Sequence, residues 1–383
     1  MRWFRAAVVS VVVTSCLAAC QLLAGVDDEE GVARPDGATP EAGPDVAPEA
    51  GDPCAKVRPP PPPSLGSVSD AGSLGPQLFA FRTFLVRPSG APLGYDIDAR
   101  CTGHPTSTTS EAPCIGAANG DTDDDDGGVD NSLGRVVEKS VPSDKDLAGN
   151  SLTSSVAKGN FTLLLEVFNY NGEPNDDAVS VAVITAPRLT ANDCDGGLSE
   201  AGAPTWDGCE TWATSGVELL NELPTTNLLS GYVADDVLVV TPRQKEQEIA
   251  FALGRTSLRL GEALATARID RGGGSGPIRL KDGLLVGRVA ADTLLAFFYR
   301  LEIGGTTALC EQGATGVSIE KTLRGTLCAL RDVPLRAADD GKGSKCDALS
   351  FVLGFEAEPA RMGDAGPAAE LACPGDLDAS CPP

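Results

Sequence analysis

What most constrains this chain is a succession of short apolar segments, rich in β-branched and aromatic residues and broken by Gly, Pro, Asn and Asp. LFAFRTFLVRP opens the series and ends at Pro88. FTLLLEVFNY and AVSVAVITA flank the turn NGEPNDD and predict a hairpin with a longer loop. GYVADDVLVVT, QEIAFALG, TSLRL and ALATARID predict further strands. IRLKDGLLVGRV predicts the tightest hairpin, because Asp282-Gly283 suits a type I′ turn between two alternating segments. CDALSFVLGFEA predicts a closing strand. Helical spacing is rarer. Residues 143–158 predict a short helix with Ser143 and Asp146 as a capping box. TLLAFFYRL predicts another behind an Asp292 cap, and SIEKTLRGTLCAL a third that Gly325 weakens. The fold class expected is mainly β: one β-sandwich or jelly-roll-like domain over residues 76–358, with long loops and two or three short helices. No internal repeat points to a propeller or solenoid.

The N-terminus sets the expected compartment. MRWFRAAVVSVVVTSCLAAC has a basic start at Arg2 and Arg5 and an apolar stretch, Ala6 to Thr14, too short to span a bilayer. Leu17-Ala18-Ala19-Cys20 then matches a bacterial lipobox. The expectation is a signal peptide over residues 1–19, lipidation at Cys20 and a membrane-anchored mature chain. Gln21, where Asp commonly marks inner-membrane retention, points to the outer membrane. Residues 20–75 are Pro/Ala/Asp-rich and aperiodic, the composition of a disordered tether, and residues 359–383 form a Gly/Ala/Pro-rich tail. The chain carries 30 Lys and Arg against 54 Asp and Glu, a formal charge of −24. That charge excludes a nucleic-acid partner, which needs clustered cations, and favours solubility and cation attraction.

Cysteine content agrees with export. Of twelve Cys, Cys16 leaves with the signal and Cys20 takes the lipid, so ten remain for five disulfides. Proximity in sequence favours Cys101–Cys114, Cys194–Cys209, Cys310–Cys328 and Cys373–Cys381, which leaves Cys54 with Cys346. A zinc site is disfavoured by the absence of CxxC and by His104 being the single histidine.

The order of lipobox, tether, GYDIDARC, acidic loop, FNYNGEPNDD, GYVADDVLVV, KDGLLVGRV and KCDALSF resembles a group of cysteine-bearing surface lipoproteins of myxobacteria. The resemblance implies a surface location and a common β-rich body. It implies no activity.

Candidate chemistry centres on GDTDDDDGGVDN, Gly120 to Asn131. Calcium takes about 6–8 oxygen ligands, and alternating Asp in a tight loop supplies them. One register uses Asp121, Asp123 and Asp125. The next places Thr122, Asp124 and Asp126 ahead of a turn glycine, Gly127, with Asp130 beyond. Neither is an EF-hand. The second resembles the DxDxDGxxD loops of extracellular calcium repeats with one ligand degraded. Asp96 and Asp98 would complete the shell if a Cys101–Cys114 bridge brought GYDID alongside. A solvated acidic run is the competing reading.

Asn171, Asp176 and Asp177 share one turn and are candidates for binding calcium or a sugar, against the plain reading that such residues make turns. Trp206 and Trp212 are candidates for a sugar-stacking platform, against packing beside Cys209. A Ser-His-Asp or Cys-His centre would have to use His104, and neither GxSxG nor HExxH is present. The function expected is a non-enzymatic, membrane-anchored binding or envelope component with a calcium-stabilised loop and a protein or glycan partner. The alternative is a carbohydrate-active β-sandwich, either a binding module or a glycosidase.

Overall fold

The structure, a computed structural model, describes residues 57–64, 72–86, 93–100, 102, 113–116, 124–125, 127–140, 147–192, 194, 202–215, 219–220, 223–224, 228–243, 247–253, 255–272, 277–301, 308–366, 373 and 381. The expected signal peptide, Cys20 and most of the tether lie outside them, as do Cys54, Cys101 and His104.

The body is mainly β, as the segment pattern requires, but it is a barrel rather than a sandwich or jelly roll. Its strands are β1 (Gln77–Leu85), β2 (Thr162–Phe168), β3 (Asp176–Ala186), β8 (Leu228–Ala234), β9 (Val237–Pro242), β11 (Thr256–Asp270), β12 (Arg279–Ala290) and β13 (Ala348–Pro359). They run antiparallel in the order β11-β12-β13-β1-β2-β3-β8-β9, and β9 pairs back onto β11 to close the ring. β10 (Ile249–Leu253) extends the N-terminal half of β11. Closure satisfies the backbone groups that an open sheet leaves at its edges. An eight-stranded barrel is just wide enough for side chains to fill its interior. Here Leu163, Leu165, Val181, Val183, Leu229, Val233, Leu238, Val240, Leu285 and Leu353 belong to one buried cluster.

The opposite faces of β1, β2 and β3 carry a second cluster, with Ala80, Leu164, Ala182, Ile184 and Trp212. Trp212 comes from a small sheet laid on this outer face: β4 (Arg188–Ala191), β5 (Thr211–Ser215) and β14 (Arg361–Gly366). β14 runs parallel to β5, so part of the expected tail is structured. Strands apolar on both faces, such as TLLLEVF, read as continuous runs because each face meets a different layer. A short pair, β6 (Leu219–Leu220) with β7 (Leu223–Pro224), forms its own two-stranded sheet.

Helix α1 (Ser132–Ser140) lies between the acidic run and the helix expected over residues 143–158, where no element is expected. Its start is set by Asn131, whose Oδ1 accepts the Gly134 amide at 2.8 Å. Helices α2 (Leu147–Ala157), α3 (Ala291–Arg300) and α4 (Ala314–Ala329) match the three expected segments. Asp292 does not cap α3 but lies in its first turn, two residues after an Ala290 N-cap without a side-chain bond.

The hairpin expected of FTLLLEVFNY and AVSVAVITA forms as β2 and β3, but a strand and the second expected hairpin exchange roles. GYVADDVLVVT, expected as one strand, folds at Asp235-Asp236 with φ of 50° and 64°, and Ala234 opposes Val237 across this two-residue turn. IRLKDGLLVGRV, expected as a hairpin, is the continuous strand β12. Asp282 has the positive φ its sequence signals, 50°, but within an irregularity of register between Leu280 and Gly283. TSLRL and ALATARID likewise merge into β11, with Glu262 at φ 48° and a shift between Gly261 and Leu264.

Cysteine pairing follows this topology. Cys194–Cys209 forms as expected. The other proximity pairs are corrected: Cys114 joins Cys346, Cys310 joins Cys373 and Cys328 joins Cys381. Cys346 is therefore not paired with Cys54. The parallel bridge Ile115–Lys345 sets Cys114 beside Cys346, 232 residues away in sequence.

Candidate metal centre

Two loops lie over the outer face of β11, β12 and β13. The first, residues 93–100, carries GYDIDAR. Tyr95 Oη hydrogen-bonds Thr266 Oγ1 of β11 at 3.0 Å, and a Cβ on Gly94 would meet Val352 of β13 at 2.9 Å. The second is the end of the acidic run. Asp125 and Val129 form a bridge, Asp125 N donating to Val129 O at 2.8 Å, around Gly127 and Gly128 at φ 85° and 80°. Left-handed backbone at both positions is the reason for the Gly-Gly pair.

The two loops are stitched directly, not by Cys101–Cys114. The Asp130 amide donates to Tyr95 O at 3.1 Å, and Asn131 Nδ2 donates to Leu93 O at 3.0 Å. Asp130 Oδ2 accepts the Ile97 and Asp98 amides at 2.8 and 3.4 Å. The expected juxtaposition of GYDID with the acidic run is thus present, through different bonds.

It brings Asp96, Asp98 and Asp130 together. Each is buried, and each offers a carboxylate oxygen within 4.8 Å of the others'. Asp124 stands beside them, its Oδ1 accepting the Thr102 hydroxyl. Asp96 Oδ1 accepts the Arg100 amide at 3.1 Å, and Asp98 Oδ1 accepts the same amide at 2.8 Å. Asp98 Oδ2 and Asp124 Oδ2 are buried with no hydrogen-bond partner among the described residues.

Burial is the main reason that Asp98 is pushed up to about 7, with the neighbouring charges of Asp124 and Asp96 adding to it. Asp124 is pushed up to about 6, again chiefly by burial. Asp130 is raised well above the usual carboxylate range by burial and by Asp98 and Asp124. Two guanidinium groups partly offset this charge. Arg58 Nη2 lies 3.1 Å from Asp96 Oδ2. Buried Arg288 grips Asp340 through two bonds of 2.6 and 2.7 Å and donates to Ile97 O at 3.4 Å.

Of the eight Asp expected at the site, Asp96, Asp98, Asp124 and Asp130 converge. Asp125 contributes backbone bonds to the turn, and Asp121, Asp123 and Asp126 lie outside the described residues. Sequence reasoning missed Thr102, Arg58 and Arg288. No spacing signal marks them, since Arg58 comes from the expected tether and Arg288 from a strand.

The other candidates lie elsewhere. Asn171 and Asp176 satisfy their own turn: Asp176 Oδ2 accepts the Asn171 amide at 2.7 Å, and Asn171 Oδ1 accepts the Glu173 amide at 2.8 Å. Asp177 is exposed. Trp212 is fully buried, and Trp206 is half-buried against both clusters, its ring centroid 6.2 Å from that of Trp212. The indole expected to stack on a sugar is thus inaccessible at Trp212. No protein-family model, no curated protein and no solved structure matches the chain.

Proposed function

We propose that this chain is an exported, lipid-anchored envelope component of non-enzymatic role, and that its barrel carries a calcium ion at Asp96, Asp98, Asp124 and Asp130. The observation that carries the cation is Asp98. Its Oδ2 is buried without a hydrogen-bond partner among the described residues, in a group of three carboxylates whose oxygens lie within 4.8 Å of one another. Burying a carboxylate without a partner costs several kcal/mol. An ion with contacts of about 2.3–2.6 Å fits between oxygens at that separation. The all-oxygen donor set suits a hard cation. The lipobox at Cys20 and the acidic tether support the anchoring. A single histidine and the absence of a nucleophile motif support the non-enzymatic role.

Thermal unfolding of the oxidised full chain, with calcium and then with excess chelator, tests the cation. A ligand of the folded state alone stabilises it by about 2.7 kcal/mol at a hundredfold excess over Kd. Calcium should raise the midpoint of the native chain and leave Asp98→Asn unmoved. Equal midpoints with calcium and with chelator in the native chain overturn the reading.

A further inference from the structure

The segment VRPPPPPS, Val57 to Ser64, belongs by composition to the tether, yet it lies against the barrel. Val57, Pro59, Pro60 and Pro63 are half-buried, while Arg58, Pro61, Pro62 and Ser64 are exposed. Val57 is in a 3-10 turn and Arg58 in a bend, and the prolines follow, with half-buried Pro60 and Pro63 three residues apart, the repeat of the polyproline II helix that a run of five prolines favours. One edge of such a helix therefore faces the protein.

The surface beneath that edge is built from separate elements. Tyr232 is on β8, and its hydroxyl donates to Pro60 O. In β8, Leu229 and Val233 are in the core, so the alternation puts Tyr232 on the outer face. Tyr232 and Thr266 both pair with Val239 of β9, one from each side, and Tyr95 is tied to Thr266, so the two tyrosines share this patch of the outer face. The Asp96 amide donates to Val57 O at 3.0 Å, and the Asp96 carboxylate takes Arg58. Two tyrosines, a hydroxyl aimed at a proline carbonyl and a carboxylate meeting an adjacent arginine are the elements by which aromatic-lined grooves read basic proline-rich ligands. A carbonyl preceded by a proline ring is a good acceptor that no internal bond of the helix uses.

We propose that Tyr95, Tyr232 and Asp96 form a polyproline-recognition groove and that Val57–Pro63 is its intramolecular ligand, with Arg58 as the anchor. The segment is then a docked strap upstream of β1. Because the ligand is covalently attached, its effective concentration is on the order of millimolar, and weak intrinsic affinity is enough to hold it.

Hydrogen exchange at the Asp96 amide tests this, followed on the full chain in chelator so that cation binding does not enter. The triple variant Arg58→Glu, Pro60→Ala and Pro63→Ala alters only the strap. Its Asp96 amide should exchange at least about tenfold faster, while amides of β12 and β13 keep their rates. Tyr232→Phe, which removes only the hydroxyl, should give a smaller acceleration. Adding the synthetic peptide VRPPPPPS at about millimolar concentration to the triple variant should restore protection, and the same peptide with Glu for Arg should not. Unchanged exchange in the triple variant overturns the groove, as does failure of the peptide to restore protection. Protection of the native chain that appears only as it dimerises places a second copy's segment in the groove and overturns the intramolecular assignment.

Discussion

Gly283 and Gly325 are offered the same methyl group and should respond with opposite signs. At Gly283, in the middle of β12, a Cβ would lie 2.4, 2.5 and 2.6 Å from Cε2, Cζ and Cδ2 of Phe355. That ring cannot swing away freely. It is 1 % exposed and stacks on Phe81 at a centroid separation of 3.9 Å and an interplanar angle of 9°. Relieving the contact means moving the ring about 1 Å, and such overpacking costs about 1–3 kcal/mol. Loss of the stack adds up to about 1 kcal/mol, and the stiffer unfolded chain returns about 0.4–1 kcal/mol. Gly283→Ala should therefore destabilise by about 1–3 kcal/mol. At Gly325, exposed on α4, a Cβ meets nothing within 4 Å. Gly325→Ala should stabilise by about 0.5–1 kcal/mol from helix propensity alone. Urea unfolding of the oxidised chain measures both. The mechanism is isolated by Phe355→Leu. In that background the Gly283→Ala penalty should shrink by at least about 0.5 kcal/mol. A penalty independent of the residue at 355 would refute the steric argument and return Asp282-Gly283 to the role of a turn.

Three further outcomes follow from the site and the bridges. Asp98 is raised from 3.8 to about 7, so the cation-free protein binds that proton more tightly folded than unfolded, and the advantage disappears as pH rises through about 7. In chelator, Asp98→Asn should match the native chain near pH 4 and exceed its stability above pH 7, by up to about 4 kcal/mol at about 1.4 kcal/mol per unit; equal stability at pH 8 would sink this. Replacing Arg288 with Met strips Asp340 of both its bonds and Pro334 O of a 2.8 Å donor. The expected loss is about 3–5 kcal/mol, partly recovered by adding Asp340→Asn, with denaturant midpoints as the readout. Non-reducing peptide mapping should yield Cys114–Cys346, Cys310–Cys373 and Cys328–Cys381 fragments, and recovery of Cys310–Cys328 would contradict the placement of α4.

Much of this was legible because it is local. Alternation and β-branching in FTLLLEVFNY or AVSVAVITA define strands whatever lies beside them, and the spacing of Leu294, Leu295 and Phe298 defines α3. The sequence also marks some of the backbone positions with positive φ: Asp282 and Gly127 have it, whereas Asp235-Asp236, expected within a strand, has it unannounced. It does not say what such a position is for. A left-handed residue serves a two-residue turn when the next segment folds back on the last, and a bulge when the strand runs on between two partners. β12 runs on because β11 and β13 flank it over its whole length. Barrel closure is likewise invisible locally, since the β9–β11 pairing uses strands that would look the same at the open edge of a sandwich. Cysteine spacing favoured near neighbours, but a disulfide needs only Cα atoms about 5–6 Å apart, and the fold brings distant chain to that distance as readily as near. The composition of the acidic run and of GYDID announced carboxylates. Only tertiary structure decided that three of them would be buried together on the outer face of β11–β13, with one oxygen of Asp98 unpaired among the described residues, because burial depends on what covers a residue and not on the residue itself.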